Sequence, residues 1–258
     1  MPELPECEAN RQRVEDGALN RTISGFSSGR TEHLDLPGKA DRDRLLGRQF
    51  TQARRHGKFI FAGSQSGPWI AVHLGMTGRL VVEGDDFEAP NHGHFVIAFE
   101  GGDRLVFHNR RKLGWLRVID DPDDFLAEHH IGPDAMEIGE NAFVDVIGRG
   151  RGAVKSALMD QTKIAGIGNL YSDETLYQIG VSPMAKGADL DAGTLKKMHG
   201  AMRDVLKKLL AANDGAKLPE NWLRHRRDKG AECGLCDGTI DARKVGGRTA
   251  YFCAKHQA

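Results

Sequence analysis

Between Thr22 and Ile119, apolar residues arrive in short runs rich in Val, Ile, Leu and Phe, separated by glycine turns. Trp69–Leu74, Arg79–Glu83, His94–Phe99, Arg104–His108 and Leu113–Ile119 are the clearest of these runs. Each has the length of a strand, and strands joined through short glycine connections pair antiparallel, so this half predicts a β-sandwich. A helix over about Pro5–Glu15 precedes the strands and a second one near Arg42–Leu46 interrupts them. Toward the other end the period changes. Leu195, Met198, Met202, Val205, Leu206 and Leu209 recur at helical spacing and predict a long helix with one apolar face, in which the methionines are ordinary core.

The two patterns meet at a compositional break. From Asp120 to Gly148 there are nine carboxylates and no Lys or Arg, with Gly132-Pro133 in the middle, as at a domain junction. A chain of 258 residues has room for two ordinary domains. The expected fold class is therefore α+β. An antiparallel β-sandwich with an N-terminal helix occupies 1–133, an acidic hinge 134–141, a helical domain 142–230 and a small metal-binding element 231–258.

Formal net charge is zero, which by itself argues against a nucleic-acid partner. Its distribution argues the other way. Outside the acidic junction, cations exceed anions by nine, and they gather as Arg54-Arg55, Arg110-Arg111-Lys112, Arg149-Arg151-Lys155 and Arg224-Arg226-Arg227. Any one cluster reads as a solvated surface; four of them beside a metal-binding element point to DNA or RNA.

That element is the pair Cys233-x2-Cys236 and Cys253-x2-His256, separated by a hairpin-sized insert. Two close pairs of soft or borderline donors suit one structural tetrahedral zinc ion. The insert carries Arg243, Lys244, Gly246, Gly247 and Arg248, a glycine turn bearing cations for phosphate. The only other cysteine, Cys7, is far away and reads as a small buried side chain, so a disulfide framework is not expected. With no signal peptide and no long apolar run, the expected setting is a reducing cytoplasm, associated with the nucleoid and not with a membrane.

The first six residues are Met1-Pro2-Glu3-Leu4-Pro5-Glu6. Removing Met1 leaves a secondary amine that titrates near ~8, so a useful fraction is nucleophilic at neutral pH. Attack by that amine on an aldehyde-like carbon gives an iminium ion, an electron sink, and Glu3 is the adjacent proton shuttle. The plain alternative is a processable terminus with Pro5 in the first turn of a helix.

Six motifs in order carry a family resemblance: Pro2-Glu3-Leu4-Pro5-Glu6, Arg54-Arg55-His56-Gly57-Lys58, His73-Leu74-Gly75-Met76-Thr77-Gly78, the Arg111–Gly114 region, Gly166-Ile167-Gly168-Asn169-Leu170-Tyr171 and the Cys3His cluster. Over essentially its whole length the chain resembles the formamidopyrimidine-DNA glycosylase and endonuclease VIII family of base-excision repair enzymes. The resemblance implies a β-sandwich joined to a helix-two-turn-helix domain with a zinc-finger hairpin. It implies a bifunctional glycosylase and abasic-site lyase acting on damaged double-stranded DNA as a monomer, without an obligate protein partner. Pro2 would attack C1′, Glu3 would move protons on the sugar, and Lys58 would hold the phosphate beside the lesion, with Glu6 in support. Met76, Arg111 and Leu113 would fill the gap left by the flipped nucleotide. Lys155, Asn169 and Arg248 would contact phosphates, and Cys233, Cys236, Cys253 and His256 would bind zinc.

Three departures matter. Many members have Asp-Pro-Arg-Arg-Phe-Gly where this chain has Asn109-Arg110-Arg111-Lys112-Leu113-Gly114, so leucine replaces an aromatic wedge. His256 stands where the family usually has cysteine, and zinc accepts either. The segment Asp214–Glu232 is shorter than the region that caps a flipped 8-oxoguanine in members that excise it. Formamidopyrimidines, oxidised pyrimidines, hydantoins and abasic sites thus compete as substrates. Two non-catalytic readings stand beside this one: a zinc-finger protein that binds damaged or structured DNA, and an RNA-binding zinc ribbon. The first leaves Pro2, Glu3 and Lys58 unexplained, and the second calls for stacking aromatics, which are scarce at three Trp and three Tyr.

Overall fold

A computed structural model of the chain describes residues 1–29, 31–84 and 93–257. The chain divides into two compact units, Met1–His130 and Ile131–Ala258.

The first unit opens with helix α1 (Leu4–Ala18), followed by β1 (Ile23–Ser28), α2 (Lys39–Leu45), β2 (Gln52–His56), β3 (Phe59–Gly63) and β4 (Trp69–His73). Then come β5 (Arg79–Glu83), β6 (His94–Phe99), β7 (Arg104–His108), β8 (Trp115–Ile119) and helix α3 (Pro122–Glu128). Two four-stranded antiparallel sheets form, in the orders β1-β6-β7-β5 and β2-β3-β4-β8. Alternation explains the shared core. Phe95, Ile97 and Phe99 of β6, Leu105 and Phe107 of β7, Ile60 and Ala62 of β3, and Ile70 and Val72 of β4 are spaced two apart and are buried together. Cys7, Val14 and Ala18 bring α1 onto the same core. The expected sandwich and its two helices are thus present. The last strand begins at Trp115, so Leu113 lies in the preceding turn, 54% exposed.

The second unit contains α4 (Glu140–Gly148), α5 (Val154–Met159), α6 (Asn169–Gln178), α7 (Ala192–Asn213) and a hairpin of β9 (Ile240–Val245) and β10 (Arg248–Cys253). The expected apolar face of α7 is buried in full: Leu195, Met198, Met202, Val205, Leu206 and Leu209. Its N-cap, Asp191, accepts the Thr194 N–H at 3.0 Å.

The segment 134–141, read from composition as an acidic hinge, is instead built into this unit. Asp134 is 1% exposed, and its carboxylate accepts the Met136 N–H at 2.9 Å. The Met136 carbonyl accepts from Arg203 and the Ile138 carbonyl lies 2.9 Å from His199 Nε2, both on α7. A carboxylate that organises a tight turn has the same composition as one in a solvated linker, and only its partners separate the two. Among the described residues no helix is long and apolar enough to cross a membrane.

Candidate active site and nucleic-acid interface

Helix α1 sets the catalytic candidates. Pro5 occupies its first turn, where no N–H is missed, and Glu3 is the N-cap in extended conformation. Glu3 and Glu6 form a reciprocal capping box, with Glu6 Oε2 accepting the Glu3 N–H at 2.9 Å. This fixes Glu6 as a support of the turn and holds Glu3, 2% exposed, directly after the half-buried Pro2. The helix dipole favours both carboxylates there.

Lys58 comes to the same place from the sheet. β2 and β3 pair up to His56↔Phe59, leaving a two-residue turn whose first member, Gly57, has φ of 55°. Lys58 is 8% exposed, and its carbonyl lies 3.5 Å from Cys7 Sγ on α1. Burial first, and then the charge of Glu6, push the Cys7 thiol up to about 12; Arg55 and Lys58 oppose the shift and Glu3 adds to it. Cys7 is inert, and it marks the point at which Glu3, Glu6, Arg55 and Lys58 converge. Arg55 pairs with Glu8 at 3.0 Å and donates to the Gly57 carbonyl, so it braces the Lys58 turn. Beside it His73 is held neutral: burial, then the Lys58 charge, lower its pKa, and its Nδ1 accepts the Gly75 N–H at 3.3 Å.

The three wedge candidates share one rim. Met76 and Leu113 are 37% and 54% exposed, and Arg111 is exposed with its N–H on Thr77 Oγ1 at 3.4 Å. Their loops touch through glycine: Gly75 has φ of 62°, and a Cβ there would fall 2.4 Å from the Leu113 carbonyl carbon. Asn109, fully buried, joins the loops by donating to the Leu74 carbonyl and accepting the Leu113 N–H. In the sequence Asn109 stands out only as a departure from the family motif. Its role follows from an amide being donor and acceptor at once.

In the second unit Asn169 opens α6 after Gly168, with Oδ1 buried and without a partner among the described residues. Gln161 shapes this turn, its side chain bonding the Met159 and Ile167 carbonyls and the Gly166 N–H. Arg248 is exposed after a Gly246-Gly247 turn whose φ values are 55° and 75°. Lys155, expected at a phosphate, is fully buried, and its ammonium donates to the Asn169 carbonyl, Ser172 Oγ and Asp173 Oδ1 at 3.1, 3.1 and 2.5 Å. Other expected DNA-facing cations are also paired within the chain: Arg54 with Asp123, Arg149 with Asp145 and Arg227 with Asp173. Arg110, Arg111, Arg151 and Arg248 are exposed.

Cys233, Cys236, Cys253 and His256 present one ligand atom each, all within 4.8 Å of one another, a cluster able to hold a metal ion. Their surroundings are built for it. The Leu235 and Gly238 N–H groups point at Cys233 and Cys236 Sγ, and a Cβ on Gly238 would fall 2.8 Å from Cys253 Sγ. His256 Nε2 lies 3.1 Å from the Tyr177 carbonyl, which fixes that nitrogen as the N–H and leaves Nδ1 toward the sulfurs. The Tyr177 hydroxyl lies 3.1 Å from Cys233 Sγ and accepts the Gly234 N–H. Burial acts to raise the Cys233 thiol, but the Tyr177 hydroxyl and neighbouring N–H groups outweigh it and bring it down to about 6. Tyr177 was missed in the sequence because helical periodicity marks it only as core.

Comparison with known proteins agrees with this geometry. Residues 1–116 match the formamidopyrimidine-DNA glycosylase N-terminal domain and residues 131–218 the formamidopyrimidine-DNA glycosylase H2TH domain. A formamidopyrimidine-DNA glycosylase of Chloroflexus aurantiacus is 30% identical, covering 98% of this chain and 96% of the relative. One of Nitratidesulfovibrio vulgaris is 31% identical, covering 99% of this chain and 69% of the relative. The fold is also that of Lactococcus lactis Fpg, solved with DNA containing an abasic site: TM-score 0.87, 23% identity, 99% of each chain covered. The chain belongs to the formamidopyrimidine-DNA glycosylase family.

Proposed function

We propose that this chain is a DNA repair glycosylase with abasic-site lyase activity. The observation that carries the reading is the buried carboxylate Glu3 at the N-cap of α1, directly after Pro2, with the buried turn lysine Lys58 packed on the same helix through its carbonyl, 3.5 Å from Cys7 Sγ. A pure binding protein has no need of it. Met1 is exposed ahead of Pro2, and its removal frees the secondary amine. The Pro2 nitrogen then attacks C1′ of an everted nucleotide; the C1′–N bond breaks, and its electron pair leaves with the base, which takes up a proton. Loss of the proline N–H proton and opening of the C1′–O4′ bond, with Glu3 delivering a proton to O4′, give an iminium that acidifies C2′. Loss of a C2′ proton, with Glu3 as the nearby base, expels the 3′ phosphate, and a second elimination expels the 5′ phosphate. Lys58 supports the phosphate next to the reacting sugar as a point charge.

Met76, Arg111 and Leu113 on one rim fit insertion into the vacated duplex position. Asn169 and Arg248 serve phosphates. The Cys3His cluster is a structural zinc site. With zinc–sulfur bonds of about 2.3 Å a tetrahedron has edges of about 3.8 Å, and ligand atoms here lie 3.4, 3.5 and 3.7 Å apart. When bound, the metal closes the base of the β9–β10 hairpin and takes no part in the chemistry.

Borohydride trapping tests the reading. Protein verified to begin at Pro2 is incubated with duplexes carrying an abasic site, 8-oxoguanine, a formamidopyrimidine, thymine glycol or a hydantoin. A trapped adduct with the abasic duplex is expected, weaker in Pro2→Gly, whose primary amine still forms an imine, and lost when Met1 is retained and Pro2 is an amide; the wider pattern assigns the lesion class. No adduct with any duplex would leave the damage-binding alternative in its place.

A further inference from the structure

Asp173 is a carboxylate with no exposed surface, in the second turn of α6, and it belongs to no motif of the site described above. Oδ1 accepts the Lys155 ammonium at 2.5 Å. Oδ2 accepts Arg227 at 2.8 Å and the Tyr251 N–H of β10 at 3.1 Å. Each partner leads to a different part of the unit. Lys155 also donates to the carbonyl of Asn169, the residue that opens α6. Arg227 stacks its guanidinium 4.7 Å over the Tyr251 ring.

β10 has β9 as its one strand partner among the described residues, so alternate N–H groups of β10 point away from the hairpin. Asp173 takes the outward N–H of Tyr251, and three residues along the same strand, about 10 Å away, stands Arg248. A second contact fixes the tip: a Cβ on Gly246 would fall 2.4 Å from Ser156 Oγ, next to Lys155 on α5. The hairpin is therefore registered against α5 and α6 at its tip by shape and at its middle by a buried charge.

We propose that Asp173 is a positioning residue that couples the Gly168–Asn169 turn to the Arg248 strand, so that the two phosphate-binding elements engage DNA as one unit. The clamp stands on the geometry alone; the ligand it serves rests on the functional reading above. A buried carboxylate suits the task, since two cations and a backbone N–H converge on its two oxygens and no neutral side chain can hold all three equally well.

The test uses the full zinc-loaded chain, a duplex with a tetrahydrofuran abasic analogue, and the same duplex undamaged. Asp173→Asn keeps the shape and removes the charge. It is expected to weaken binding of the analogue duplex by about tenfold or more. The decisive readout is coupling. Arg248→Ala should cost several-fold less in the Asp173→Asn background than in the native chain, while Lys58→Ala should cost the same in both. Amide exchange at Tyr251 should quicken at least about tenfold. Arg227→Gln, which removes one donor and leaves Lys155 in place, is a milder second variant expected to shift coupling and exchange in the same direction. Additive losses for Asp173→Asn and Arg248→Ala, or unchanged exchange at Tyr251, would overturn the proposal. If the native chain bound both duplexes equally, the functional reading would fail, and the exchange measurement would still decide the clamp.

Discussion

Lys155 separates two accounts of this chain, because its position in sequence suggests a phosphate contact and its position in space an internal brace. Replacing it by methionine keeps most of the length and removes the charge. Three hydrogen bonds go, to the Asn169 carbonyl, Ser172 Oγ and Asp173 Oδ1, and the Lys155 and Asp173 side chains have no exposed surface. Breaking a buried ion pair by deleting one partner costs about 3–5 kcal/mol, most of it the uncompensated charge left behind. Asp173 retains Arg227 and the Tyr251 N–H on its other oxygen, which sets the expectation at the lower end, about 3 kcal/mol. For a unit whose total stability is on the order of 5–15 kcal/mol, that is a large fraction. A solvated phosphate-binding lysine would behave oppositely, changing stability by less than about 0.5 kcal/mol and lowering the salt slope of DNA binding by about one. Urea unfolding of the zinc-loaded protein, read beside DNA titrations at several salt concentrations, distinguishes the two. A stability loss below about 1 kcal/mol together with a shallower salt slope would refute the internal role.

The remaining predictions concern the other parts of the site. His73 has a folded pKa below its ordinary 6.5, through burial and then the Lys58 charge. The unfolded chain thus takes up a proton below pH 6.5 that the folded site refuses, and stability should fall as pH drops from 6.5 through the lowered value. Urea midpoints at neutral and mildly acidic pH should differ less in His73→Gln than in the native chain, and equal differences would count against the assignment. Stripping the metal with a chelator should release amide protection across Ile240–Cys253 and remove the preference for damaged duplex, whereas His256→Cys should retain both. Full protection in the stripped protein would exclude a structural ion. Gly75→Ala forces a side chain onto φ of 62° and against the Leu113 backbone. Strain of that kind costs about 1–3 kcal/mol, and parting the Met76 and Leu113 loops should weaken binding of the abasic analogue; unchanged stability would show that the loops do not meet there.

Features that depend on local periodicity and spacing were legible in the chain alone. Strands that alternate every second residue and a helix that repeats its apolar face announce themselves, since burial selects side chains at the period of the backbone. The metal cluster was legible for a related reason: two x2 spacings hold each pair of ligands together whatever the rest of the chain does, and a tetrahedral ion needs little more. The N-terminal proline and its neighbouring carboxylate were legible because they adjoin in sequence. Which charges face outward depends on the packing of distant segments. Arg55, Lys155 and Arg227 carry the same sign as Arg111 and Arg248, but their partners lie 47, 18 and 54 residues away in Glu8, Asp173 and Asp173. The acidic run at 134–141 shows the same dependence, since Asp134 caps a turn packed against α7. A side chain brings its charge from the sequence. Whether that charge meets water, a phosphate or a buried counter-ion is set by contacts between segments far apart along the chain.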